Sequence, residues 1–149
     1  MRIRKAVKKD SKEILRLIKE LADFEKLSPP DKSAERRLLS AAFSDNPKIN
    51  ILVAEEKGKL IAYAIYMFLF SSFLAKPTLY LEDIYVSNDY RRSGIGRKIF
   101  DKLIAIAKNK KCGRLELMVL GWNKNAIAFY EKYKARHLNE WKYYRMEIK

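Results

Sequence analysis

The chain has 149 residues, 48% of them hydrophobic, and a formal net charge of +14. This length and composition exclude a disordered or low-complexity protein, and they predict one domain over residues 1–149. The longest apolar run, Leu60 to Phe70, is too short for a membrane-spanning helix, which needs about 20 residues. With one cysteine, Cys112, and no secretion signal, we expect a cytoplasmic protein with no membrane partner.

The apolar periodicity predicts elements in the order β-α-α-β-β-β-α-β-α-β, a mixed α/β sheet with helices against it. Asp10 and Glu13 have the spacing of a capping box, Ser33 is the expected cap of the second helix, and a hairpin turn is expected at Gly58. The strands are predicted over 2–7, 49–55, 60–70, 79–86, 114–120 and, as one or two closing strands, 137–148. The helices are predicted from Asp10 to before Pro29, from Ser33 to before Asn46, and over 94–110 and 125–133.

The segment after the strand 79–86 has the features of a phosphate site. It leads into a helix, whose first turn presents free backbone N–H groups, and Gly94 and Gly96 leave room for an anion there. Three arginines add charge that suits phosphate oxygens: Arg91, Arg92 and Arg97. The Walker pattern is absent, and the residue three places after Gly96 does not fit the dinucleotide fingerprint.

The pattern Arg-x-x-Gly-x-Gly after a strand resembles the GNAT superfamily of N-acetyltransferases. Further segments resemble its diamine (spermidine/spermine) acetyltransferase branch: Leu15 to Ala22, Tyr80 to Val86, Asp89 to Arg91, Trp122 to Asn123, and Ala126 to Tyr130. The similarity covers nearly the whole chain. It implies the GNAT fold, a central mixed, mostly antiparallel sheet flanked by about four helices. It also implies an enzyme that transfers acetyl from acetyl-CoA directly to a primary amine.

The resemblance further implies how acetyl-CoA is held. The backbone of Ile84, Tyr85 and Val86 matches the strand that pairs with the pantetheine arm, and Asn123, Ala126 and Tyr130 match positions along the lower part of the cofactor. The amides of Arg92 to Arg97 match those that hold the pyrophosphate. The whole loop is expected to bind the cofactor: Arg91, Arg92, Ser93, Gly94, Ile95, Gly96 and Arg97.

Catalysis requires a neutral amine, yet an alkyl amine has a pKa near 10.4 and is protonated at neutral pH. The resemblance assigns Glu82 as the base that removes this proton, directly or through water, and Tyr130 as the acid that protonates the leaving thiolate. On a regular strand Glu82 and Asp83 point to opposite faces, so one of them is expected to face the cleft. A salt bridge is the alternative role for either acid, and core packing is the alternative for Tyr130.

Neither Cys112 nor His137 has neighbours that indicate chemistry. Cys112 lies in a Lys-Lys-Cys-Gly turn with no histidine nearby in sequence, so a covalent acetyl-enzyme is not expected. His137 lacks a cluster of cysteines or carboxylates at ligand spacing. We expect no metal site.

The acceptor is expected to be a small amine such as a polyamine or a thialysine-like amino acid. Substrate-binding residues implied by the resemblance are Phe24, Glu25, Glu82, Asp83 and Trp141; Phe24 departs from the tyrosine usual in the branch. A body charged +14 repels polycations unless acidic residues cluster in one cleft, and the expected members are Glu20, Glu25, Glu82, Asp83 and Glu116.

Two alternatives remain open at this stage. A protein or peptide N-terminus or lysine could be the acceptor. The basic charge and Tyr143-Tyr144-Arg145 could instead serve nucleic acid binding, although we expect most of the aromatic residues to pack in the core. The charge also fits a phosphorylated cofactor or a heat-adapted surface. The resemblance implies a homodimer, and a nucleic acid partner is not expected.

Overall fold

The computed structural model describes residues 1–149 and divides into two compact units, residues 1–117 and residues 118–149. The first unit contains strands β1 (Arg2–Lys5), β2 (Asn50–Glu56), β3 (Lys59–Ser71), β4 (Lys76–Val86) and β5 (Arg114–Leu117). It also contains helices α1 (Ser11–Glu25), α2 (Lys32–Phe43) and α3 (Ile95–Asn109), and the second unit contains α4 (Lys124–Lys132). The predicted mixed sheet with four helices is confirmed.

The five strands form one sheet in the order β1-β2-β3-β4-β5. The first four pair antiparallel. Short turns join β2 to β3 and β3 to β4, the first at Gly58, whose φ of 78° favours glycine, whereas α1 and α2 lie between β1 and β2. β4 and β5 pair parallel, and α3 forms the crossover between them. The predicted hairpin turn and the strand-loop-helix unit are therefore confirmed.

The core that supports the site lies between α1 and the sheet. Ile14 and Leu17 of α1 are fully buried and pack in one cluster with Tyr63, Ile65 and Tyr85 of β3 and β4. The helix presents this stripe because its apolar residues recur at intervals of three and four. α2 is tied to α1 by the buried carboxylate of Glu35, which lies 3.0 Å from the Nζ of Lys19.

Both predicted helix caps differ in detail from the structure. The N-cap of α2 is Asp31, whose carboxylate accepts a hydrogen bond from the Ala34 N–H at 2.8 Å, whereas Ser33 lies inside the first turn. Asp10 occupies the N-cap position of α1, but its side chain makes no capping hydrogen bond. Its carboxylate is already engaged, because it accepts hydrogen bonds from the Arg4 guanidinium at 2.7 and 3.0 Å and from the Val7 N–H at 2.8 Å.

Three predicted strands have wrong ends, and one predicted segment forms no strand. β1 stops at Lys5 rather than at residue 7, β4 begins at Lys76 rather than at residue 79, and β5 stops at Leu117 rather than at residue 120. Residues 137–148, predicted as one or two closing strands, form none. Apolar alternation tests only the side chains, whereas a strand also requires a partner backbone for its hydrogen bonds. Most of the aromatic residues were expected in the core, yet in this segment Tyr143 is 69% exposed and Tyr144 is 84% exposed. None of the helices is both long and apolar enough to cross a membrane.

Candidate active site

β4 loses one of its two neighbours part of the way along. It pairs with β3 up to Val86, but it pairs with β5 only from Thr78 to Leu81. From Glu82 onward, one edge of β4 therefore has no strand partner in the sheet. An extended ligand can add to such an edge through backbone hydrogen bonds. Ile84, Tyr85 and Val86, the predicted pantetheine contacts, all lie on this part of the strand.

A β-bulge lies at the point where β4 and β5 part. Asp83 is opposite Ile65 and Leu81 is opposite Tyr66, so Glu82 has no residue opposite it on β3. A bulge disturbs the alternation of side chains along a strand. The condition for placing the two acids on opposite faces is therefore not met, and both Glu82 and Asp83 line the same cavity.

This cavity, which we call the acceptor cavity, has a volume of about 450 Å³. Its two acidic residues are neighbours in sequence, so its charged groups are concentrated on one wall. The rest of the lining is apolar and comes from α1, the start of α2 and the segment before it, the residue before β2, and β3: Ile18, Pro30, Ala34, Leu38, Ile49, Ile65 and Met67. The cavity therefore combines an anionic end with an apolar body.

Asp83 is the group in the acceptor cavity whose proton affinity changes most. Burial and the nearby charge of Glu82 raise the pKa of its carboxyl to about 6, and the charge of Glu25 acts in the same direction. The Tyr63 hydroxyl donates a hydrogen bond to Asp83 Oδ2 at 3.3 Å, which lowers the pKa and partly offsets that rise. Burial also raises the pKa of the Glu25 carboxyl.

Of the five acids expected in one cleft, two line the acceptor cavity, Glu82 and Asp83. Glu25 does not line it, but it lies close enough to raise the pKa of Asp83. Glu20 and Glu116 do not line it either. Glu20 pairs with Arg16 and accepts a hydrogen bond from the Ser87 hydroxyl at 2.9 Å, and Glu116 pairs with the Arg114 guanidinium at 2.8 Å.

We expect Asp83→Asn to stabilise the fold at neutral pH. The raised pKa means that ionised Asp83 is less favourable in the folded protein than in the unfolded chain. This cost appears as pH rises from 3.8 to about 6 and stays constant above. With allowance for solvent at the cavity, we expect a gain of about 1–2 kcal/mol at pH 7.5 and almost none at pH 3.5.

Urea unfolding of wild type and variant at these two pH values measures the difference. Asp45→Asn, at an exposed position, is the control and is expected to change neither value. A gain of equal size at both pH values would show that ionisation of Asp83 is not its cause.

The loop after β4 has the features of an anion site. Gly94 is the N-cap of α3 with φ of 81°, and no atom lies within 4 Å of the place where a Cβ would stand. Arg92 and Arg97 are exposed beside it, and the Ser93 hydroxyl donates a hydrogen bond to the Tyr90 carbonyl. Exposed amides at a helix start together with guanidinium groups fit a pyrophosphate.

Arg91 has internal contacts. Its Nε donates a hydrogen bond to the Val86 carbonyl at 3.1 Å, and its guanidinium carbon lies 4.4 Å from the centre of the Phe24 ring and 5.2 Å from that of Tyr85. These contacts connect the last turn of α1 with the end of β4. Phe24, predicted to bind substrate, is 37% exposed and lies under this guanidinium.

The second unit contains the other predicted residues. The side chain of Asn123 caps α4, because it accepts a hydrogen bond from the Ala126 N–H at 3.2 Å. Tyr130 is buried in the same helix, and its ring meets Phe129 edge to face at 5.3 Å. Trp141 is in the exposed segment after α4.

Sequence reasoning missed Tyr63 as a partner of Asp83. A signal was present, since tyrosine hydroxyls are rare inside a fully buried strand unless they have a polar partner. Tyr63 lies opposite Tyr85, two residues beyond Asp83. This register depends on how β3 and β4 pair, so the sequence of either strand alone does not reveal the contact.

The glycine loop at the start of α3 occurs on a mostly antiparallel sheet, as the resemblance to N-acetyltransferases implies, and the structure adds the unpaired edge of β4 and the bulge. The profile of the Acetyltransferase (GNAT) family matches residues 14–134, and the chain belongs to that family. It is thus an acetyl-transferring enzyme, and the family uses acetyl-CoA as cosubstrate.

Similar proteins refine this assignment. The chain is 41% identical to a thialysine N-epsilon-acetyltransferase of Mus musculus, with 98% of this chain and 92% of the relative covered. It is 38% identical to spermidine/spermine N(1)-acetyltransferase-like protein 1 of Homo sapiens, over 92% of this chain and 21% of the relative. A solved structure of a possible acetyltransferase from Clostridium difficile 630 superposes with a TM-score of 0.86 at 24% identity, covering 99% and 97% of the two chains.

Proposed function

We propose that this enzyme acetylates the primary amine of a small molecule in which a short, largely apolar chain joins one terminal ammonium group to an α-amino-acid end, as in a thialysine-like amino acid. The observation that carries the proposal is the acceptor cavity, with Glu82 and Asp83 on one wall and apolar side chains elsewhere. The thialysine N-epsilon-acetyltransferase of Mus musculus, 41% identical, supports the same choice.

A polyamine fits this cavity less well. Its second and third ammonium groups would lie along an apolar lining that includes Leu38, Ile65 and Met67. Burial of an unpaired charge is costly. The net charge of +14 also slows the approach of a polycation, whereas it attracts the anionic cosubstrate.

The proposed chemistry begins with the ammonium group at the acidic wall. Glu82 removes one proton, directly or through water, and the free amine attacks the thioester carbon of acetyl-CoA. The tetrahedral intermediate then collapses: the C–S bond breaks, Tyr130 donates a proton to the thiolate, and the nitrogen gives up its second proton to regenerate the tyrosine. The products are the N-acetyl amine and CoA.

The cosubstrate is proposed to bind as the sequence predicts. Ile84, Tyr85 and Val86 offer the unpaired edge of β4 to the pantetheine arm, and the loop from Arg92 to Arg97 offers amides and charge to the pyrophosphate. The internal contacts of Arg91 favour a role in holding this loop in place. Asn123 and Ala126 remain proposed contacts along the lower part of the cofactor.

We also propose that residues 1–149 act as one catalytic domain, because the family profile extends from residue 14 to residue 134 and so covers parts of both units. A homodimer is part of the proposal. It is supported by exposed apolar side chains where β3 meets β4, among them Phe70 at 71% and Phe73 at 99% exposure. The cytoplasmic location stays a proposal that rests on the single cysteine.

Release of CoA from acetyl-CoA with thialysine, spermidine and an N-terminal alanine peptide as separate acceptors tests the function. We expect kcat/KM for thialysine to exceed that for spermidine by at least about tenfold, because the α-ammonium of thialysine is offset by its own α-carboxylate, whereas the additional ammonium groups of spermidine would be desolvated without a partner in the apolar part of the cavity. Equal or better turnover of spermidine would contradict the assignment of an amino-acid acceptor. Turnover of the peptide alone would establish a protein acceptor.

A matched pair of variants sharpens this test. Leu38→Asp places a carboxylate in the apolar lining and is expected to shift the preference toward spermidine, whereas Leu38→Met keeps the volume and is expected to leave it unchanged. The same shift in both variants would indicate a change in cavity shape rather than in charge.

A further inference from the structure

We propose that Tyr63 is a positioning residue for the acceptor amine, because its hydroxyl fixes the direction of the Asp83 carboxylate on the wall of the acceptor cavity. The inference rests on the proposed function, since it requires that the amine binds in that cavity. Tyr63 itself does not line the cavity, so it acts through Asp83.

The side chain of Tyr63 is held firmly enough to fix the position of a hydrogen-bond partner. Its side chain is completely buried in the cluster formed by α1, β2, β3 and β4. Its ring lies 6.4 Å from that of Tyr85, the residue opposite it in the ladder, at an interplanar angle of 49°. The hydroxyl therefore has little freedom to move, and it donates a hydrogen bond to Asp83 Oδ2 at 3.3 Å.

The direction of the Asp83 carboxylate is poorly fixed by the strand itself, because of the position of Asp83 beside the bulge. It adjoins Glu82, the residue that has no partner in the bulge, so the ladder is interrupted immediately before it. The regular pleat that normally sets the direction of a side chain is disturbed there. A hydrogen bond from the neighbouring strand supplies the direction that the ladder does not.

The charges around Asp83 give this hydrogen bond a measurable effect. The groups that act on its carboxyl are Glu82 on the same strand, Glu25 at the end of α1 and Tyr63 on β3. The two glutamates raise the pKa of Asp83, and the Tyr63 hydroxyl lowers it. Burial raises the pKa of Tyr63 well above its usual value, so the hydroxyl remains a donor throughout the neutral range.

Tyr63→Phe removes the hydroxyl and keeps the buried ring. With thialysine as acceptor, we expect KM for the amine to rise about tenfold, as a lost hydrogen bond to a charged group would give, with kcat changed less than about twofold. We expect the acidic limb of kcat/KM to move to higher pH. Tyr66→Phe is the control, because Tyr66 is also buried in β3, and it is expected to leave both quantities unchanged.

A double-mutant cycle separates positioning from packing. If Tyr63 acts through Asp83, then Tyr63→Phe in an Asp83→Asn background is expected to leave KM unchanged relative to Asp83→Asn alone. An equal rise in KM in both backgrounds would overturn the proposal, and so would an unchanged acidic limb in the single variant.

Failure of the proposed function is recognised separately, because wild type would then show no turnover of thialysine. In that case the contact can still be tested without a substrate. Loss of the hydroxyl is expected to move the Asp83-dependent part of the pH profile of unfolding to higher pH. An unchanged unfolding profile would overturn the Tyr63–Asp83 contact itself.

Discussion

Replacement of Tyr130 by phenylalanine is expected to lower kcat by about 10²- to 10³-fold, the usual contribution of a general acid. The thiolate of CoA leaves slowly without a proton donor, and the proposed donor is the Tyr130 hydroxyl. The change keeps the buried ring and its edge-to-face contact with Phe129. The affinity for acetyl-CoA, measured by calorimetry, is therefore expected to change much less than kcat.

Tyr133→Phe is the matched control for this variant. Tyr133 follows α4 directly and also packs against Phe129, with ring centres 5.4 Å apart, but it has no proposed catalytic role. We expect it to retain nearly full activity. If Tyr130→Phe kept its kcat within a factor of about three of wild type, the acid would have to be sought elsewhere.

The second large effect is expected at Glu82. At neutral pH only about one alkyl amine in 10³ is unprotonated, so loss of the proposed base in Glu82→Gln is expected to lower kcat/KM for the amine by about 10²-fold near pH 7. The deficit is expected to shrink as pH approaches 10, because the amine then loses its proton to solvent. Steady-state rates of Glu82→Gln from pH 5 to pH 10 measure this recovery.

Two further features make the Glu82 result specific. The charge of Glu82 raises the pKa of Asp83, so its removal is expected to move the acidic limb of the profile to lower pH. Glu116→Gln is the control, because Glu116 pairs with Arg114 and does not line the acceptor cavity. A constant deficit at every pH would assign Glu82 to binding alone.

Most of the fold could be predicted from local patterns. The periodicities of 2 and 3.6 identified the first five strands and four helices, since each depends only on residues near one another in sequence. The prediction of one or two closing strands over 137–148 was wrong, because a strand must pair with a partner strand and periodicity does not reveal one. The cap at Ser33 failed because Asp31, two residues earlier, is also a good cap.

The site could be predicted only in part. The glycine loop was identified because Gly94, Gly96 and the arginines lie within one short segment. The cavity that Glu82 and Asp83 share could not be predicted, because it depends on a bulge that is set by the register between β3 and β4. The contacts of Arg91 with Phe24 also join residues far apart in sequence.

The bulge exists because β4 has one residue more than the part of β3 that it pairs with, so the site depends on the number of residues in β4 as well as on their identity. Because Glu82 has no residue opposite it, a chain without Glu82 could form an uninterrupted ladder with β3. Ile65 and Tyr66 are adjacent on β3, so such a deletion would leave the pairs Leu81–Tyr66 and Asp83–Ile65 in register and would remove only the bulge and the proposed base. For this strand, a single lost codon would yield a more regular sheet and a worse enzyme, so insertions and deletions here are constrained as strongly as substitutions.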